Sequence, residues 1–254
     1  MNSEEVVPRL RLVVPCHNEA RRLRPAAFLE FVRATPHAAL LFVDDGSADA
    51  TRAVLDDLAE AGEGRIAVLA LDRNRGKAEA VRQGVNAALR QRPQFVAFWD
   101  ADLSTPLDAV REFEAVFDER PGLEMVIGAR VNLLGRQIRR RMPRHYLGRL
   151  FATAASMALG MAVYDTQCGA KMFRATDVVA RLFASPFEVD WVFDVELLAR
   201  YIEEVGAEAA RARIFELPLE EWSDVPGSKI RARHGVRALW DLAKIARAVR
   251  RRQR

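Results

Sequence analysis

The 254-residue chain has few cysteines, few lysines and no long hydrophobic run. Its two cysteines, Cys16 and Cys168, are too few for a disulfide framework and lack the spacing of a structural metal site. The longest uncharged stretch, residues 150–164, is shorter than the ~20 residues that span a bilayer. The first residues are polar and acidic, unlike those of a signal peptide. We therefore expect a cytoplasmic protein with reduced thiols and no membrane-spanning helix.

Positive charge is concentrated in two segments, although the net charge is only +4. Residues 136–149 carry six arginines and no acid, and residues 229–254 carry ten lysines or arginines against one acid, Asp241. The rest of the chain is therefore acidic, and this asymmetry favours contact with a polyanionic ligand or surface. Neither segment is interleaved with stacking aromatics, which argues against a nucleic-acid partner.

Strand and helix patterns alternate through the first half of the chain. Apolar runs predict strands at 10–14, 39–44, 66–71, 95–99 and 124–128. Helical patterns lie between them at 49–61 and 76–91. This alternation predicts an α/β fold with a mostly parallel sheet flanked by helices.

The second half is less regular. We expect a basic loop over 136–149, helices near 146–163 and 192–205, and strands at 170–173 and 214–222. The predicted division is one domain over 1–232 and a basic amphipathic helix over 233–254. This helix, with Trp240 on its apolar stripe, either lies on a membrane surface or packs on the core.

Asp100-Ala101-Asp102 is the most informative local feature. It follows the uncharged run 95–99, which predicts a strand buried on both faces. Open α/β sheets bind ligands at the carboxyl ends of their strands. Two carboxylates at i and i+2 repel unless a cation lies between them, and Mg²⁺ takes one or two carboxylates plus phosphate oxygens. Helix capping is the alternative, but Thr105, as N-cap, accounts for a cap without this pair.

Three more polar clusters follow predicted strands, at 15–19, 44–47 and 74–77. Each alone is a turn, but together they bring polar groups to one edge of the sheet. Gly76 and Lys77, at a helix start, offer an anion backbone donors, the helix dipole and an ammonium group. The chain has no P-loop motif and no glycine-rich dinucleotide motif after its first strand, which argues against P-loop NTPases and dinucleotide-binding folds.

Taken together, these residues resemble the family 2 glycosyltransferases, which have the GT-A fold, a Rossmann-like fold that binds nucleotide sugars. Pro-x-x-Asn-Glu (15–19), Asp-Asp-Gly-Ser (44–47), Asn-x-Gly-Lys (74–77) and Asp-Ala-Asp (100–102) stand in the order of that family. Residues 165–173, 191–198 and 227–230 resemble signatures of the dolichyl-phosphate β-glucosyltransferases. Two positions depart from these signatures: His17 stands where tyrosine is common, and Ala170 where phenylalanine is usual.

The resemblance implies a role for each matched position. The implied nucleotide-sugar site comprises Pro15, Asn18, Glu19, Asp45, Gly76, Lys77, Asp100, Ala101, Arg130 and Gln167. The implied catalytic residues are Asp100, Asp102, Asp165 and Lys229. Asp100 and Asp102 would hold Mg²⁺ or Mn²⁺. The arginines suited to an acceptor phosphate are Arg136, Arg139, Arg140, Arg141 and Arg144.

The implied reaction is inverting transfer of a sugar, glucose from UDP-glucose, to a polyprenyl or dolichyl phosphate. The enzyme would then lie peripherally on the cytoplasmic face of an anionic membrane. We further expect residues 136–149 to form a mobile loop until an anionic acceptor neutralises its arginines. Two alternatives stay open: a GT-A glycosyltransferase with a non-lipid acceptor, and a protein that binds nucleic acid through its basic tail.

Overall fold

The computed structural model of the chain describes residues 7–139, 142–225 and 240–247, with only the backbone of residues 142–147. The strands are β1 (Leu10–Cys16), β2 (Ala38–Asp44), β3 (Ile66–Ala70), β4 (Phe95–Trp99), β5 (Met125–Ala129), β6 (Gln137–Arg139), β7 (Ala170–Arg174), β8 (Ile214–Pro218) and β9 (Glu221–Ser223). The helices are α1 (Pro25–Ala34), α2 (Thr51–Ala61), α3 (Lys77–Leu89), α4 (Ala109–Glu119), α5 (Met142–Leu159), α6 (Asp177–Ala184), α7 (Phe193–Val205) and α8 (Ala207–Arg213).

Seven strands form one sheet in the order β3-β2-β1-β4-β7-β5-β8, and β6 pairs with β9 in a second, two-stranded sheet. β1 runs parallel to β2 and β4, β2 runs parallel to β3, and β5 runs parallel to β8. The predicted α/β class with a mostly parallel, helix-flanked sheet is confirmed. Because parallel strands end at the same edge, the loops after β1, β2 and β4 leave this sheet side by side.

The chain divides into two compact units, Met1–Asp102 with Met172–Ala184, and Leu103–Lys171 with Ser185–Arg254. In the first unit every residue of β4 is buried, and Phe28 packs edge-on against Phe42 with ring centroids 4.9 Å apart. Helix α3 lies close on the sheet at Gly84, where a Cβ atom would clash with Val13 and Val43. Tight packing of this helix against the strands fixes the position of its first residue.

The second unit is built around β5, which is buried along its whole length, and α7, which buries nine of its residues. The Tyr201 hydroxyl on α7 donates a 2.6 Å hydrogen bond to the Glu124 carboxylate just before β5. Burial, followed by this hydrogen bond and the neighbouring negative charge, raises the pKa of Tyr201. The phenol therefore stays neutral and anchors α7 beside the strand.

Several predicted elements differ from the structure. Helix α1 was not predicted, and α4 begins at Ala109 after a turn, so Thr105 is not its N-cap. The expected loop over 136–149 was wrong in its described part, because 137–139 pair with β9 and α5 already begins at Met142. Backbone hydrogen bonds to a partner strand and within a helix form there in spite of the repulsion among arginines.

The described part of the tail, residues 240–247, is helical. Leu242 and Ile245 are buried, whereas Trp240 is 64% exposed. The rest of the predicted tail helix lies outside the described residues. Among the helices that the structure describes, none combines the length and the apolar character that a bilayer span requires.

Candidate functional site

The loops after β1 and β2 are held together by Asn18. Its backbone N–H donates to the Ser47 hydroxyl at 3.0 Å, and its side-chain Oδ1 accepts the backbone N–H of Ala48 at 2.8 Å. Asn18 has a φ of 52°, a left-handed conformation that asparagine tolerates better than most residues. This predicted site residue therefore shapes the edge of the sheet.

His17 joins three loops at this edge. Its Nδ1 lies 2.8 Å from the carbonyl oxygen of Asp45, and its Nε2 lies 3.1 Å and 2.8 Å from the side-chain amides of Asn18 and Asn74. Because a carbonyl only accepts, Nδ1 carries the hydrogen and Nε2 accepts from the two amides. The position that departs from the family pattern is thus hydrogen-bonded to the loops after β2 and β3 as well as to its own neighbour, Asn18.

Asp45 is 3% exposed and shapes the start of α3. Its two carboxylate oxygens accept the backbone N–H groups of Arg75 at 2.7 Å and Gly76 at 2.9 Å. Gly76 has a φ of 90°, which a residue with a side chain would adopt only with strain. The Gly76 N–H, which we expected to meet an anionic ligand, is therefore used within the protein.

Glu19 forms a bidentate ion pair with Arg22, a residue that the sequence patterns did not identify. The guanidinium Nη2 and Nε lie 2.5 Å and 2.7 Å from the two Glu19 oxygens. The hydrogen bond to Glu19 raises the pKa of Arg22, burial opposes it, and the charges of Glu19, Asp102 and Asp100 add to it. Arg22 therefore lies within electrostatic reach of Asp100 and Asp102. Its position three residues after Glu19 is the sequence feature from which the ion pair could have been predicted.

Asp100 and Asp102 follow the buried strand β4, as predicted. The Lys77 ammonium at the start of α3 lies 2.5 Å from Asp100 Oδ1, and both side chains are partly exposed. Ala101 between the two carboxylates is 6% exposed. The first unit thus brings the predicted residues Lys77, Asp100 and Asp102 to one edge of the sheet, near the loops of Pro15, Asn18 and Asp45.

In the second unit, half-buried Arg130 and buried Asp165 form a bidentate pair. Arg130 Nε and Nη2 lie 2.6 Å and 2.7 Å from the two Asp165 oxygens, and the Arg130 backbone N–H also donates to Asp165 at 3.1 Å. The guanidinium lies 5.2 Å from the ring centroid of Trp222. Glu216 accepts the backbone N–H of Asp165 at 2.8 Å. Sequence reasoning missed Trp222 and Glu216, which fix this pair from distant strands.

The turn that follows Asp165 contains two buried polar atoms without a partner among the described residues, Thr166 Oγ1 and Gln167 Nε2. Thr166 is 1% exposed, and the Gln167 backbone N–H donates to Asp165 Oδ1 at 3.1 Å. A buried donor without an acceptor costs about 1–3 kcal/mol, so it is a feature that a ligand oxygen can relieve. The structure thus leaves the Gln167 amide able to donate to a ligand oxygen.

A buried ion pair stabilises the same turn, residues 165–169. Lys171 is 0% exposed, and its ammonium lies 2.5 Å from Asp194 Oδ1 and 2.6 Å from the carbonyl oxygen of Cys168. Burial raises the pKa of the Cys168 thiol, which therefore stays protonated. The ammonium fixes the carbonyl at the end of the 165–169 turn.

The predicted acceptor arginines are only partly described. Arg136 forms a 2.7 Å ion pair with Glu220, and exposed Arg139 lies at the end of β6. Arg140, Arg141 and Lys229 lie outside the described residues. Arg144 lies in α5, but its side chain is outside the described part of that helix.

The paired carboxylates fit a divalent cation bound together with a diphosphate. Two carboxylates are the number that Mg²⁺ commonly takes from a protein, the remaining ligands being phosphate oxygens and water. The Lys77 ammonium 2.5 Å from Asp100 indicates that this carboxylate accepts a cationic partner. Within the described ranges, no group of three or more His, Cys, Asp and Glu side chains could hold a metal ion by itself.

Comparison with known sequences gives one family and one recurrent kind of relative. The model of glycosyl transferase family 2 matches residues 12–179. A dolichyl-phosphate beta-glucosyltransferase of Trichomonas vaginalis is 32% identical over 248 residues, which are 92% of this chain and 69% of that relative. The human dolichyl-phosphate beta-glucosyltransferase is 30% identical over 240 residues, 87% of this chain and 69% of its own length.

Comparison with solved structures reveals the same architecture at low sequence identity. Glucosyl-3-phosphoglycerate synthase of Mycobacterium tuberculosis, in complex with Mn²⁺ and UDP-glucose, superposes with a TM-score of 0.66 at 17% identity, covering 95% of this chain and 79% of that one. A mannosyltransferase of Pyrobaculum calidifontis, in complex with GDP-mannose and Mn²⁺, gives a TM-score of 0.61 at 20% identity, covering 96% and 64%. At these identities the likeness establishes the fold.

Proposed function

This chain belongs to glycosyl transferase family 2 and has the GT-A fold, and from that premise we propose that it transfers glucose from UDP-glucose to a polyprenyl phosphate. The observation that carries the proposal is the Lys77–Asp100 contact beside Asp102, which puts an ammonium group and two carboxylates at one sheet edge. The relatives at 30–32% identity, named dolichyl-phosphate beta-glucosyltransferases, support the choice of sugar and acceptor.

The first unit would bind the nucleotide. Asn18 and His17 fix the loops after β1 and β2, and Pro15 and Glu19 lie in the same segment, where base and ribose would bind. Lys77, at the beginning of α3, would meet the diphosphate with its ammonium group. Asp45 would support this role of Lys77 indirectly, since its carboxylate orients the peptide groups that lead into α3.

Asp100 and Asp102 would hold the divalent cation. Through a cation held there, these carboxylates would place positive charge that compensates the diphosphate leaving group. Lys77 and Arg22, both within electrostatic reach of the pair, would add to that charge. These protein groups are in place before the reaction, which lowers the reorganisation that charge separation requires.

In the second unit, Arg130, Asp165 and Gln167 would bind the sugar and phosphate. Asp165 holds the Arg130 guanidinium from one side and Trp222 stacks on it, so its orientation is set in advance. The unpartnered Gln167 amide would donate to a sugar hydroxyl. Lys229 would contribute a further positive charge.

The acceptor needs no strong general base. A phosphate monoester has a second pKa of about 6 and is already an anion at pH 7. The protein must instead hold an anionic acceptor near an anionic donor, for which Arg136, Arg139, Arg140, Arg141 and Arg144 are suited. A single displacement would convert an α-linked donor into a β-linked product.

A lipid acceptor also implies a membrane surface. The two described cysteines are buried and form no disulfide, which fits a reducing compartment. We therefore propose that the enzyme acts peripherally at the cytoplasmic face, where anionic lipids attract basic segments by about 1 kcal/mol per residue.

The test uses competing acceptors. The protein is incubated with UDP-[¹⁴C]glucose, Mn²⁺, polyprenyl phosphate in detergent and an equal concentration of 3-phosphoglycerate, and label is measured in the organic and aqueous phases. We expect label in the organic phase, dependent on the lipid phosphate. Label that enters only aqueous product would favour the alternative of a non-lipid acceptor.

Lys77→Met is expected to change metal and nucleotide binding in opposite directions. Without the ammonium, Asp100 is no longer neutralised, so the free protein should bind Mn²⁺ more tightly, while UDP binding weakens about tenfold through loss of a charged hydrogen bond. Calorimetry with Mn²⁺ and with UDP measures both. Arg75→Met is the matched control, because Arg75 pairs with exposed Asp72. Unchanged Mn²⁺ affinity in Lys77→Met would contradict this role.

Replacing Arg139, Arg140 and Arg141 by glutamine is expected to raise the apparent KM for polyprenyl phosphate about tenfold or more, because charged contacts to phosphate are lost. UDP affinity should change little, since that site is built from the first unit. A short, water-soluble prenyl phosphate separates acceptor binding from membrane attachment. If the triple variant handles the soluble acceptor like the parent, these arginines serve the membrane and not the acceptor.

A further inference from the structure

Two charged side chains from distant elements hold the backbone of Tyr164. The Glu216 carboxylate on β8 accepts the Tyr164 backbone N–H, whose nitrogen lies 2.9 Å and 2.8 Å from the two carboxylate oxygens. Arg149 on α5 donates a 3.1 Å hydrogen bond to the Tyr164 carbonyl oxygen, and its guanidinium lies 3.8 Å from the centroid of the Tyr164 ring. We call Glu216 and Arg149 the Tyr164 clamp.

The Tyr164 clamp also fixes the peptide group that leads into Asp165. The Asp165 backbone N–H donates to Glu216 at 2.8 Å, while Arg149 holds the carbonyl oxygen of the same peptide group. Asp165 in turn accepts two hydrogen bonds from the Arg130 guanidinium. The strand that carries Glu216, β8, is paired with β5, whose last residue directly precedes Arg130. The direction of the Arg130 guanidinium is therefore set, through Asp165, by residues on regular elements.

The turn after the Tyr164 clamp is not in the conformation that satisfies its own polar groups. Thr166 Oγ1 and Gln167 Nε2 are buried without a partner in the part of the chain that the structure describes. A turn free to relax would rotate such groups toward water or an acceptor, because a buried unpaired donor is unfavourable. Hydrogen bonds to ionised side chains are roughly twice as strong as neutral ones. The Tyr164 clamp can therefore hold the turn in a conformation that suits a ligand.

We propose that Glu216 and Arg149 are positioning residues for sugar transfer, which hold the peptide group between Tyr164 and Asp165 and so keep Arg130 aligned with the donor sugar. They act through Asp165 and not by contact with the substrate. The inference rests on the proposed function, because it takes Arg130 and Asp165 as groups that bind the sugar and phosphate. The competing role is stability alone, so each test includes a readout that stability does not move.

The first test observes the Tyr164 clamp without any substrate. Glu216→Gln replaces one acceptor oxygen by an amide group of similar size, which turns a donor toward the backbone N–H groups. We expect the Tyr164 and Asp165 amides to exchange hydrogen at least about tenfold faster in this variant. Glu124→Gln is the matched control, because the Glu124 carboxylate accepts the Tyr201 hydroxyl instead, and it should leave these two amides unchanged.

The second test compares UDP with UDP-glucose by calorimetry, in the presence of Mn²⁺ and without an acceptor. Glu216→Gln is expected to lower the affinity for UDP-glucose relative to that for UDP by about tenfold, because the sugar depends on Arg130 and Asp165. Arg149→Met should lower the same ratio and serves as the second variant if Glu216→Gln does not fold. Glu124→Gln should keep the ratio of the parent.

The third test asks whether Glu216 acts through Asp165. Glu216→Gln is expected to lower turnover by about 10²-fold, the loss that a small misplacement of a binding group can cause. When Asp165→Asn is already present, adding Glu216→Gln should cause no further loss of turnover, because the group that it positions has been removed. A purely structural residue would lower turnover by the same factor in both backgrounds.

Three results would overturn the inference. The Tyr164 and Asp165 amides could exchange at the parent rate in Glu216→Gln, the ratio of UDP-glucose to UDP affinity could stay unchanged, or the two losses of turnover could multiply. Amide exchange and donor binding require no acceptor. A changed exchange rate and affinity ratio, in a protein that forms no glycolipid, would therefore support this inference and contradict the proposed function.

Discussion

Asp102→Asn is expected to lower turnover by roughly 10²–10³-fold, the loss typical of removing one group that stabilises charge in the transition state. Under the proposed role, the amide would offer no negative charge to a cation beside Asp100, so the departing diphosphate would lose part of its charge compensation. Turnover is measured with saturating UDP-glucose over a range of Mn²⁺ concentrations. Affinity for Mn²⁺ in the presence of UDP should fall in parallel.

The control for this variant is Asp108→Asn. Asp108 is an exposed aspartate before α4 that makes no side-chain cap to the helix, so the same chemical change there should leave turnover intact. Circular dichroism and thermal unfolding should be alike for both variants and the parent, because Asp102 is only half-buried. Full activity of Asp102→Asn, or of the parent in excess chelator, would end the metal-binding assignment.

Lys171→Met is expected to lower the free energy of unfolding by about 3–5 kcal/mol, because it leaves Asp194 buried without its cation. Urea denaturation measures this change. Lys171→Met/Asp194→Leu should recover most of the stability, since neither buried charge remains. Turnover of the double variant should nevertheless stay low, with a raised KM for UDP-glucose, because the Cys168 carbonyl loses the ammonium that fixes the 165–169 turn.

An exposed ion pair provides the comparison. Arg52 and Asp56 lie four residues apart on α2 and are about half exposed. Arg52→Met should change the free energy of unfolding by no more than about 0.5 kcal/mol, as surface helix pairs do. If Lys171→Met proved as mild as Arg52→Met, the buried pair would not be the anchor of the turn.

The strands and their polar ends could be read from the sequence because the signal is local. Residues 95–99 form an uninterrupted apolar run, and β4 occupies those residues. Asp100 and Asp102 follow from that boundary alone, since a chain leaving a buried strand meets solvent at the sheet edge. The same reasoning brought Lys77 to this edge through the start of α3.

The partners of these residues could not be read in the same way, because they come from distant parts of the chain. Trp222 stacks on Arg130, and Glu216 holds the backbone of Asp165, across gaps that no periodicity spans. Asp45 was expected to meet the ligand, and the sequence did not reveal that its carboxylate oxygens also accept the backbone N–H groups of Arg75 and Gly76. A motif specifies which residue stands at a position and not which of its atoms are already engaged.

The arginine segment shows the limit of arguments from charge. Six arginines without an acid led to the expectation of a loop over 136–149, yet β6 pairs with β9 and α5 begins at Met142. Arg136 meets Glu220, which lies far along the chain. Repulsion within the segment therefore did not predict its structure. The counter-charge on Arg136 comes from Glu220, and the strand that pairs with β6 is β9, which begins at the next residue.

The most direct test of the central claim is the structure of the product. Protein, Mn²⁺, UDP-glucose and polyprenyl phosphate are incubated, the lipid fraction is analysed by mass spectrometry, and the one-bond carbon–hydrogen coupling of the anomeric centre is measured by NMR. The account predicts a polyprenyl phosphate heavier by one hexose residue and linked in the β configuration. An α-linked product, or glucose found only on a water-soluble acceptor, would contradict it.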